Sequence, residues 1–195
     1  MNHTLLNGEK VDLRPVERED LPERVAWIND EEVHATLTFD VPTSLAKTQR
    51  WFDRILTDGS RRDFSIFSKD GKYIGFAGLV NIDLVAKKAE MYTAIGLLEY
   101  RRGGFGTDTY RLLSNYGFVE LGMERLYGYQ LMNSDGSQRI VEKLGWTREG
   151  LLRKDLWAHG KLNDRYIVSI LRAEWEANPV YGMQGSPVSE LVAAS

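Results

Sequence analysis

Apolar and polar residues alternate over several short stretches of the chain, as they do in β-strands that are buried on one face. The pattern predicts strands at residues 11–16, 62–68, 73–80, 89–98, 125–132, 146–157 and 163–174. The second and third of these strands flank an Asp70-Gly71 pair, which is typical of a tight hairpin turn. We therefore expect a largely antiparallel sheet.

Apolar residues at helical spacing fill the intervals between these strands. One helix is expected to begin at Asp20, which can cap free N–H groups, and a second to follow Ser44. A third runs to about Gly122, and a short fourth ends at Gly145. The element order predicts a mixed α/β (α+β) domain whose mostly antiparallel, twisted sheet has about seven strands, accompanied by about four helices.

Composition and charge exclude several functional classes. The 195 residues are 43% hydrophobic and 27% charged, which fits one soluble domain. A net charge of -3 argues against nucleic acid as the main partner. The sequence contains no cysteine, so disulfides, thiolate catalysis and cysteine-type zinc sites are excluded.

The two ends of the chain give further expectations. Residues 1–10 lack the apolar core of a signal peptide, and no apolar run approaches the length of a membrane span. We therefore expect a cytoplasmic protein without a membrane partner. From Asn178 onward, the chain turns to proline, glycine, serine and other small residues. We predict a single domain over residues 1–175 and a tail over 176–195 that is mobile or ordered by a partner.

A glycine-rich segment at residues 100–107 joins the predicted strand 89–98 to the third helix. Three of its four residues from Gly103 to Gly106 are glycine. Such a turn directs several backbone N–H groups at one point in front of a helix N-terminus, which favours binding of a phosphate. The spacing fits neither a P-loop nor the dinucleotide-binding fingerprint. A tight turn with a purely structural role is the alternative interpretation.

The segment fits the pattern Arg/Gln-x-x-Gly-x-Gly/Ala through Arg101, Gly104 and Gly106. It resembles the pyrophosphate loop of the GNAT (Gcn5-related) N-acetyltransferases, in particular the ribosomal-protein-alanine acetyltransferase type. Further matches follow in order at Ala89-Glu90 with Ile95-Gly96, at residues 137–150 and at residues 159–175. The resemblance implies a GNAT-like fold splayed around predicted strands four and five, with acetyl-CoA as co-substrate and no metal.

The resemblance also implies how the cofactor is bound. The glycine-rich turn would hold the diphosphate, and backbone groups of the preceding strand would bond the pantetheine arm as an added strand. Ser134 stands where an asparagine is usual in the family, and Asn133 lies one place earlier. The expected contacts are Ile95, Leu97, Arg101, Arg102, Gly103, Gly104, Phe105, Gly106, Thr107, Asn133, Ser134 and Ser137.

Two residues are candidates for the acid–base chemistry of acetyl transfer. Glu90, on a central strand, is the candidate base, and a surface ion pair with a neighbouring lysine is the alternative. Many family members carry a tyrosine proton donor where this chain has Val141. Ser137 is the candidate replacement, and helix N-capping is its alternative role. A backbone N–H near Ile95 or Leu97 would stabilise the oxyanion.

The loop between the first two predicted helices borders the acceptor site in the family. We therefore expect His34 and Phe39 to bind the acceptor, together with Tyr92 of the predicted strand 89–98. The predicted function is acetyl-CoA-dependent transfer to the primary amine of a small molecule such as an amino sugar, a polyamine or an amino-acid-like compound. The alternatives are a protein N-terminal α-amine acetyltransferase and a non-catalytic acyl-CoA-binding module. A homodimer is left open.

Overall fold

The computed structural model describes residues 6–39 and 41–181, and eight strands of this part of the chain form one sheet. The order across the sheet is β1-β2-β3-β4-β5-β6-β8-β7, and every neighbouring pair is antiparallel except β5 and β6. The strands are β1 Leu6–Asn7, β2 Val11–Pro15, β3 Arg62–Ser68, β4 Tyr73–Asp83, β5 Lys88–Ile95, β6 Arg125–Leu131, β7 Thr147–Ala158 and β8 Lys161–Leu171.

Six α-helices accompany the sheet within the described ranges. They are α1 Leu21–Asn29, α2 Glu31–His34, α3 Leu45–Ile55, α4 Phe105–Asn115, α5 Asp135–Lys143 and α6 Arg172–Ala177. Helix α3 begins as the sequence predicts, because the Ser44 side chain accepts a hydrogen bond from the Lys47 N–H. Helix α4 continues into a π-helical turn, Tyr116–Glu120. None of the helices in residues 6–39 and 41–181 is long and apolar enough to cross a bilayer.

The predicted fold class is confirmed, with small differences in the number of elements. The structure has eight strands where the sequence predicted about seven, and six α-helices where it predicted about four. The additional elements, β1, α2 and α6, are two to six residues long, which is too short to give a periodic signal. Strand β4 also extends to Asp83, three residues beyond the predicted end at residue 80.

The two faces of the sheet are covered by different helices. Helix α4 packs on one face, where Leu79, Leu113 and Leu126 are fully buried in the main core. On the other face, called here the α1 face, Trp27 of α1 packs with Phe76 of β4. Side chains alternate between the faces along β5. The α1 face therefore carries every second side chain of that strand.

Strands β5 and β6 separate after a short parallel contact. They pair only at Lys88, Ala89 and Glu90 of β5, opposite residues 125–127. Strand β5 then continues to Ile95 without pairing to β6, which runs on to Leu131. The predicted splay of the fourth and fifth strands is therefore present between β5 and β6, and the opening between them is called here the gap.

The packed chain extends past the predicted domain boundary at residue 175. Helix α6 runs to Ala177, and Tyr181 is only 3% exposed. The Tyr181 hydroxyl accepts a hydrogen bond of 3.0 Å from the Trp146 indole and donates one of 3.1 Å to the Leu144 carbonyl. Residues 182–195 of the predicted tail lie outside the described residues.

Candidate active site

Beyond Glu90, the edge of β5 that lines the gap pairs with no described strand. The Gly96 N–H donates to the Ile74 carbonyl of β4 over 2.9 Å. Because residues of an antiparallel strand alternate in direction, Ile95 turns its N–H and C=O away from β4 and toward the gap. The Leu97 N–H instead lies 3.4 Å from the Ile74 carbonyl. Of the two predicted backbone contacts, Ile95 faces the gap and the Leu97 N–H points toward β4.

The glycine-rich turn leads from β5 into the N-terminus of α4. Gly104 is the N-cap residue with φ +85°, a conformation that strongly favours glycine. The first turn of the helix closes with the Asp108 N–H bonded to the Gly104 carbonyl at 3.0 Å. The N–H groups of Phe105, Gly106 and Thr107 therefore precede the first helical bond, and together with the helix dipole they form an anion site.

The predicted cofactor residues on the far side of the gap lie around the start of α5. Ser134 is the N-cap residue of that helix, although its side chain makes no capping bond, and Asn133 is exposed. A β-carbon added to Gly106 would lie 2.9 Å from Ile140 of α5. The absence of a side chain at Gly106 thus lets the N-terminal turn of α4 approach the middle of α5.

Arg101, in the glycine-rich turn, reaches back to the end of the preceding strand. Its Nε donates to the Ile95 carbonyl over 3.3 Å, so the side chain lies over the gap. Burial lowers the pKa of Arg101, and the nearby charges of Glu32 and Asp30 oppose that shift. The neighbouring Arg102 is exposed.

Glu90 lies at the point where the gap opens. It pairs with Tyr127 in the last register position that joins β5 to β6. Its half-buried side chain accepts a hydrogen bond of 2.8 Å from the Asn81 amide, and it forms no ion pair with Lys87 or Lys88. Burial and, next, the charge of Glu90 raise the pKa of Tyr127. Glu90 thus pairs with Asn81 in this structure, and not with either neighbouring lysine.

Ser137 lies in the first turn of α5 and is held by a residue of β6. The Gln130 side-chain amide donates a hydrogen bond of 2.7 Å to the Ser137 hydroxyl. The alternative role of Ser137 as the N-cap is wrong, because Ser134 occupies that position. Burial raises the pKa of Tyr110, and an interaction with Ser137 partly offsets this rise. Val141, at the position where many members of the resembled family carry a tyrosine, is buried in the core.

The three predicted acceptor residues fall into two groups. Phe39 and Tyr92 both contact Phe76 on the α1 face, with ring centres 5.8 and 6.5 Å from it. The Tyr92 hydroxyl donates to Asp63, and burial raises the pKa of Tyr92. His34 instead contacts the β7–β8 hairpin.

The hairpin contact of His34 is made through a second histidine. The ring of His159 lies 4.7 Å from that of His34, and its Nε2 is 3.0 Å from the Leu37 carbonyl oxygen. Burial and, next, the charge of His159 lower the pKa of His34. The two histidines thus join the hairpin to the segment that follows α2.

Sequence reasoning missed two buried polar residues in this region, Gln130 and Arg24. Gln130 is 3% exposed and continues an alternating buried series after Leu126 and Gly128. Arg24 lies at helical spacing between Leu21 and Ile28, on the buried side of α1. In both cases one polar residue interrupts a series of buried positions that are otherwise apolar or occupied by glycine. This interruption is the sequence feature from which the buried polar residue could have been predicted.

No group of three or more histidine, cysteine, aspartate or glutamate side chains that could hold a metal ion occurs in residues 6–39 and 41–181.

Comparison with known proteins gives consistent matches. A family model described as an acetyltransferase (GNAT) domain matches residues 10–147, well over half of the chain. The spermidine N(1)-acetyltransferase of Escherichia coli (strain K12) is 28% identical over 175 residues, covering 88% of this chain and 91% of the relative. YdaF of Bacillus subtilis (strain 168), whose name provisionally assigns it to the ribosomal N-acetyltransferases, is 29% identical over 178 residues, with 87% and 95% coverage.

A solved structure has the same fold. The crystal structure of spermidine N-acetyltransferase from Vibrio cholerae in complex with CoA and spermine superimposes with a TM-score of 0.80 at 20% identity. The match covers 85% of this chain and 98% of the other.

Proposed function

The chain belongs to the GNAT acetyltransferase family, and on this premise we propose that it transfers the acetyl group of acetyl-CoA to the primary amine of a small molecule. The proposal rests on the position of the glycine-rich turn at the end of the gap. The unpaired strand edge at Ile95 is followed, after this turn, by the N–H groups of Phe105, Gly106 and Thr107 at the start of α4. The relatives named for spermidine, a small amine, support this class of acceptor.

The donor-binding residues fit coenzyme A in two places. The N-terminal turn of α4 would bind the diphosphate through backbone N–H groups. The N–H and C=O of Ile95 would pair with an amide of the pantetheine arm as an added strand. When bound, acetyl-CoA supplies an acyl group activated as a thioester.

Glu90 is the proposed general base. A primary amine is almost wholly protonated at neutral pH and must lose a proton before it can attack. The Glu90 carboxylate would accept that proton directly or through a water molecule. Its half-buried position where the gap opens and its hydrogen bond from Asn81 support this role.

Ile95 and Ser137 are proposed to stabilise the charges that develop during transfer. The gap-facing Ile95 N–H would donate to the carbonyl oxygen as it becomes negative. The Ser137 hydroxyl would donate a hydrogen bond to the departing sulfur. A serine hydroxyl is a far weaker acid than a thiol, so Ser137 would stabilise the thiolate without losing its own proton. The thiolate would take up the second proton, which the amine nitrogen loses as it becomes an amide.

The experiment is a thiol-release assay with acetyl-CoA over a panel of small amines and of peptides with free N-termini. Turnover of small amines is expected. Turnover of peptides alone would favour the protein N-terminal alternative. Calorimetric binding of CoA without turnover of any amine would favour the non-catalytic alternative. A cytoplasmic location and a homodimer stay predictions, to be tested by cell fractionation and by light scattering.

A further inference from the structure

A buried arginine on α1 lies among aromatic rings. Arg24 is only 3% exposed. Its guanidinium carbon is 3.8 Å from the ring centre of Phe76, 4.4 Å from that of Trp51 and 5.7 Å from that of Phe39. These rings come from β4, from α3 and from the segment after α2. Cation–π attraction partly replaces the water that Arg24 has lost.

The charges around Arg24 do not balance. On the same face of the sheet, Arg14 pairs with Asp20 at 2.6 and 2.9 Å, and Arg61 pairs with Asp63 at 2.5 and 2.8 Å. Among the described residues, Arg24 forms no ion pair, and its Nη1 is buried without a hydrogen-bond partner. Arg14 has a second, exposed carboxylate, that of Glu19, at 3.8 Å. Three guanidinium groups thus face two buried carboxylates, those of Asp20 and Asp63. A buried cation without an ionic partner is costly, so a site built this way favours an anion from outside.

Arg24 lies next to the proposed acceptor site. The Phe76 ring, on which the guanidinium stacks, also contacts Tyr92 and Phe39. Tyr92 and Glu90 project from the same face of β5, because side chains two apart on a strand share a face. The charge of Arg24 also acts on the Tyr92 hydroxyl. Phe39 is 37% exposed and forms the solvent side of this aromatic group.

We propose that Arg24 is a specificity-determining residue that recognises an oxyanion, a carboxylate or a phosphate ester, on the acceptor amine. The inference rests on the proposed acetyl transfer and names its substrate class. The planar fork of a guanidinium suits a carboxylate or phosphate oxygen pair. The surrounding rings exclude water and so strengthen the ion pair. A polyamine would instead bring further positive charge toward an unpaired guanidinium, so the favoured acceptor is an anionic amine.

The test compares pairs of amines that differ only in the anion. L-lysine is compared with 1,5-diaminopentane, its decarboxylated counterpart, and O-phosphoethanolamine with ethanolamine. The ratio of kcat/KM within each pair is measured for the wild type, Arg24→Met and Arg24→Lys, with the exposed Arg50 of α3 changed to Met as a matched control. Because the ratio is taken within one protein sample, partial misfolding of a variant cancels.

We expect the wild type to prefer the anionic member of at least one pair, with a kcat/KM ratio of about ten or more. In Arg24→Met this ratio should fall to near unity. Arg24→Lys should lie between, and Arg50→Met should match the wild type. The pair that shows the effect distinguishes carboxylate from phosphate. Equal or better turnover by the wild type of both members that lack the anion, or a preference that survives Arg24→Met, would overturn the proposal.

A binding measurement keeps the proposal separate from the acetyl-transfer claim. N-acetylglycine carries a carboxylate and N-acetylglycinamide does not. We expect N-acetylglycine alone to raise the Tm of the CoA-bound wild type, and neither compound to raise that of Arg24→Met. If no amine is acetylated but this difference is found, the proposed function fails and the anion site stands. If the wild type responds to neither compound, the anion site fails.

Discussion

The Gln130 side-chain amide donates a hydrogen bond of 2.7 Å to the Ser137 hydroxyl oxygen and links the end of β6 to the first turn of α5. Because the oxygen of Ser137 accepts this bond, its own proton can go to a second partner. The Tyr110 hydroxyl, whose pKa an interaction with Ser137 lowers, is such a partner in this structure, and the departing sulfur would compete with it. Gln130 is 3% exposed, so water competes little for the contact. The pair thus holds a hydroxyl donor on the α5 side of the gap.

Replacement of Ser137 by alanine is expected to lower kcat about tenfold, the effect of losing one hydrogen bond of about 1.5 kcal/mol to a charged group. Gln130→Met should lower kcat by less, since it only frees the hydroxyl to turn. The KM for acetyl-CoA should change little in either variant. Steady-state kinetics of both single variants and of the double variant measure how far the effects of Gln130 and Ser137 on kcat depend on each other.

The double variant should be no slower than Ser137→Ala, because Gln130 acts only through Ser137 in this account. Fully additive losses would show that Gln130 affects the reaction by another route.

Gly104→Glu is expected to raise the Kd for CoA at least about tenfold, since the φ of +85° disfavours any side chain and the added charge repels a phosphate. Binding of pantetheine, which lacks the diphosphate, should remain unchanged. Titration calorimetry with both ligands measures the contrast. Gly59→Glu, at a position where a side chain meets open space, is the control. Unchanged CoA affinity in Gly104→Glu would rule out the turn as the phosphate site.

Arg101→Met is expected to change the affinities for CoA and pantetheine in opposite directions. Loss of the Arg101 side chain frees the Ile95 carbonyl, to which its Nε now donates, so pantetheine should bind more tightly. CoA should bind more weakly, because a positive charge near its phosphates is lost. Arg102→Met, which removes an exposed charge from the same turn, should weaken CoA binding only. Calorimetry that finds identical effects for the two variants would contradict a role for Arg101 over the gap.

The Arg125–Glu149 pair joins β6 to β7 and should make stability depend on pH. Hydrogen bonds from Arg125 and Ser169 lower the pKa of Glu149 from its ordinary 4.5 to about 2. A carboxyl whose pKa is lowered on folding contributes stability that is present above about pH 4.5 and is lost as the pH falls toward 2.

The free energy of unfolding, measured with urea at pH 7, should therefore be about 1 kcal/mol higher for the wild type than for Glu149→Gln. This value is reduced to allow for solvent screening of the partly exposed pair. The difference should shrink between pH 4.5 and pH 3. A difference that stays constant over this range would show that the carboxylate charge does not contribute.

The regular elements of the fold were predictable because their periodic patterns are local. The strand at residues 62–68 has the bounds that alternation predicts, and the helix after Ser44 begins at the predicted cap. Short elements such as α2 contain too few residues to show a period. The packing of Tyr181 against Trp146 joins residues far apart in sequence, so composition alone suggested a tail there.

The parts of the candidate site that depend on backbone geometry could be predicted from the sequence. The parts that depend on contacts between side chains of different elements could not. The glycine-rich turn follows from glycine content and element order. The partners of Glu90 and Ser137 do not, because Asn81 and Gln130 reach them from neighbouring strands. Arg24 carried a signal only as a charge on the apolar side of α1, and its lack of an ionic partner depends on tertiary packing.

The central claim is that Glu90 serves as the base for acetyl transfer from acetyl-CoA to a small amine. The most direct measurement is kcat/KM for the best small amine in the wild type and in Glu90→Gln, with the CoA Kd measured for both. We expect kcat/KM to fall about 10²- to 10⁴-fold in Glu90→Gln, with the Kd for CoA unchanged. Full activity in Glu90→Gln, or a wild type that binds CoA and acetylates no small amine, would contradict it.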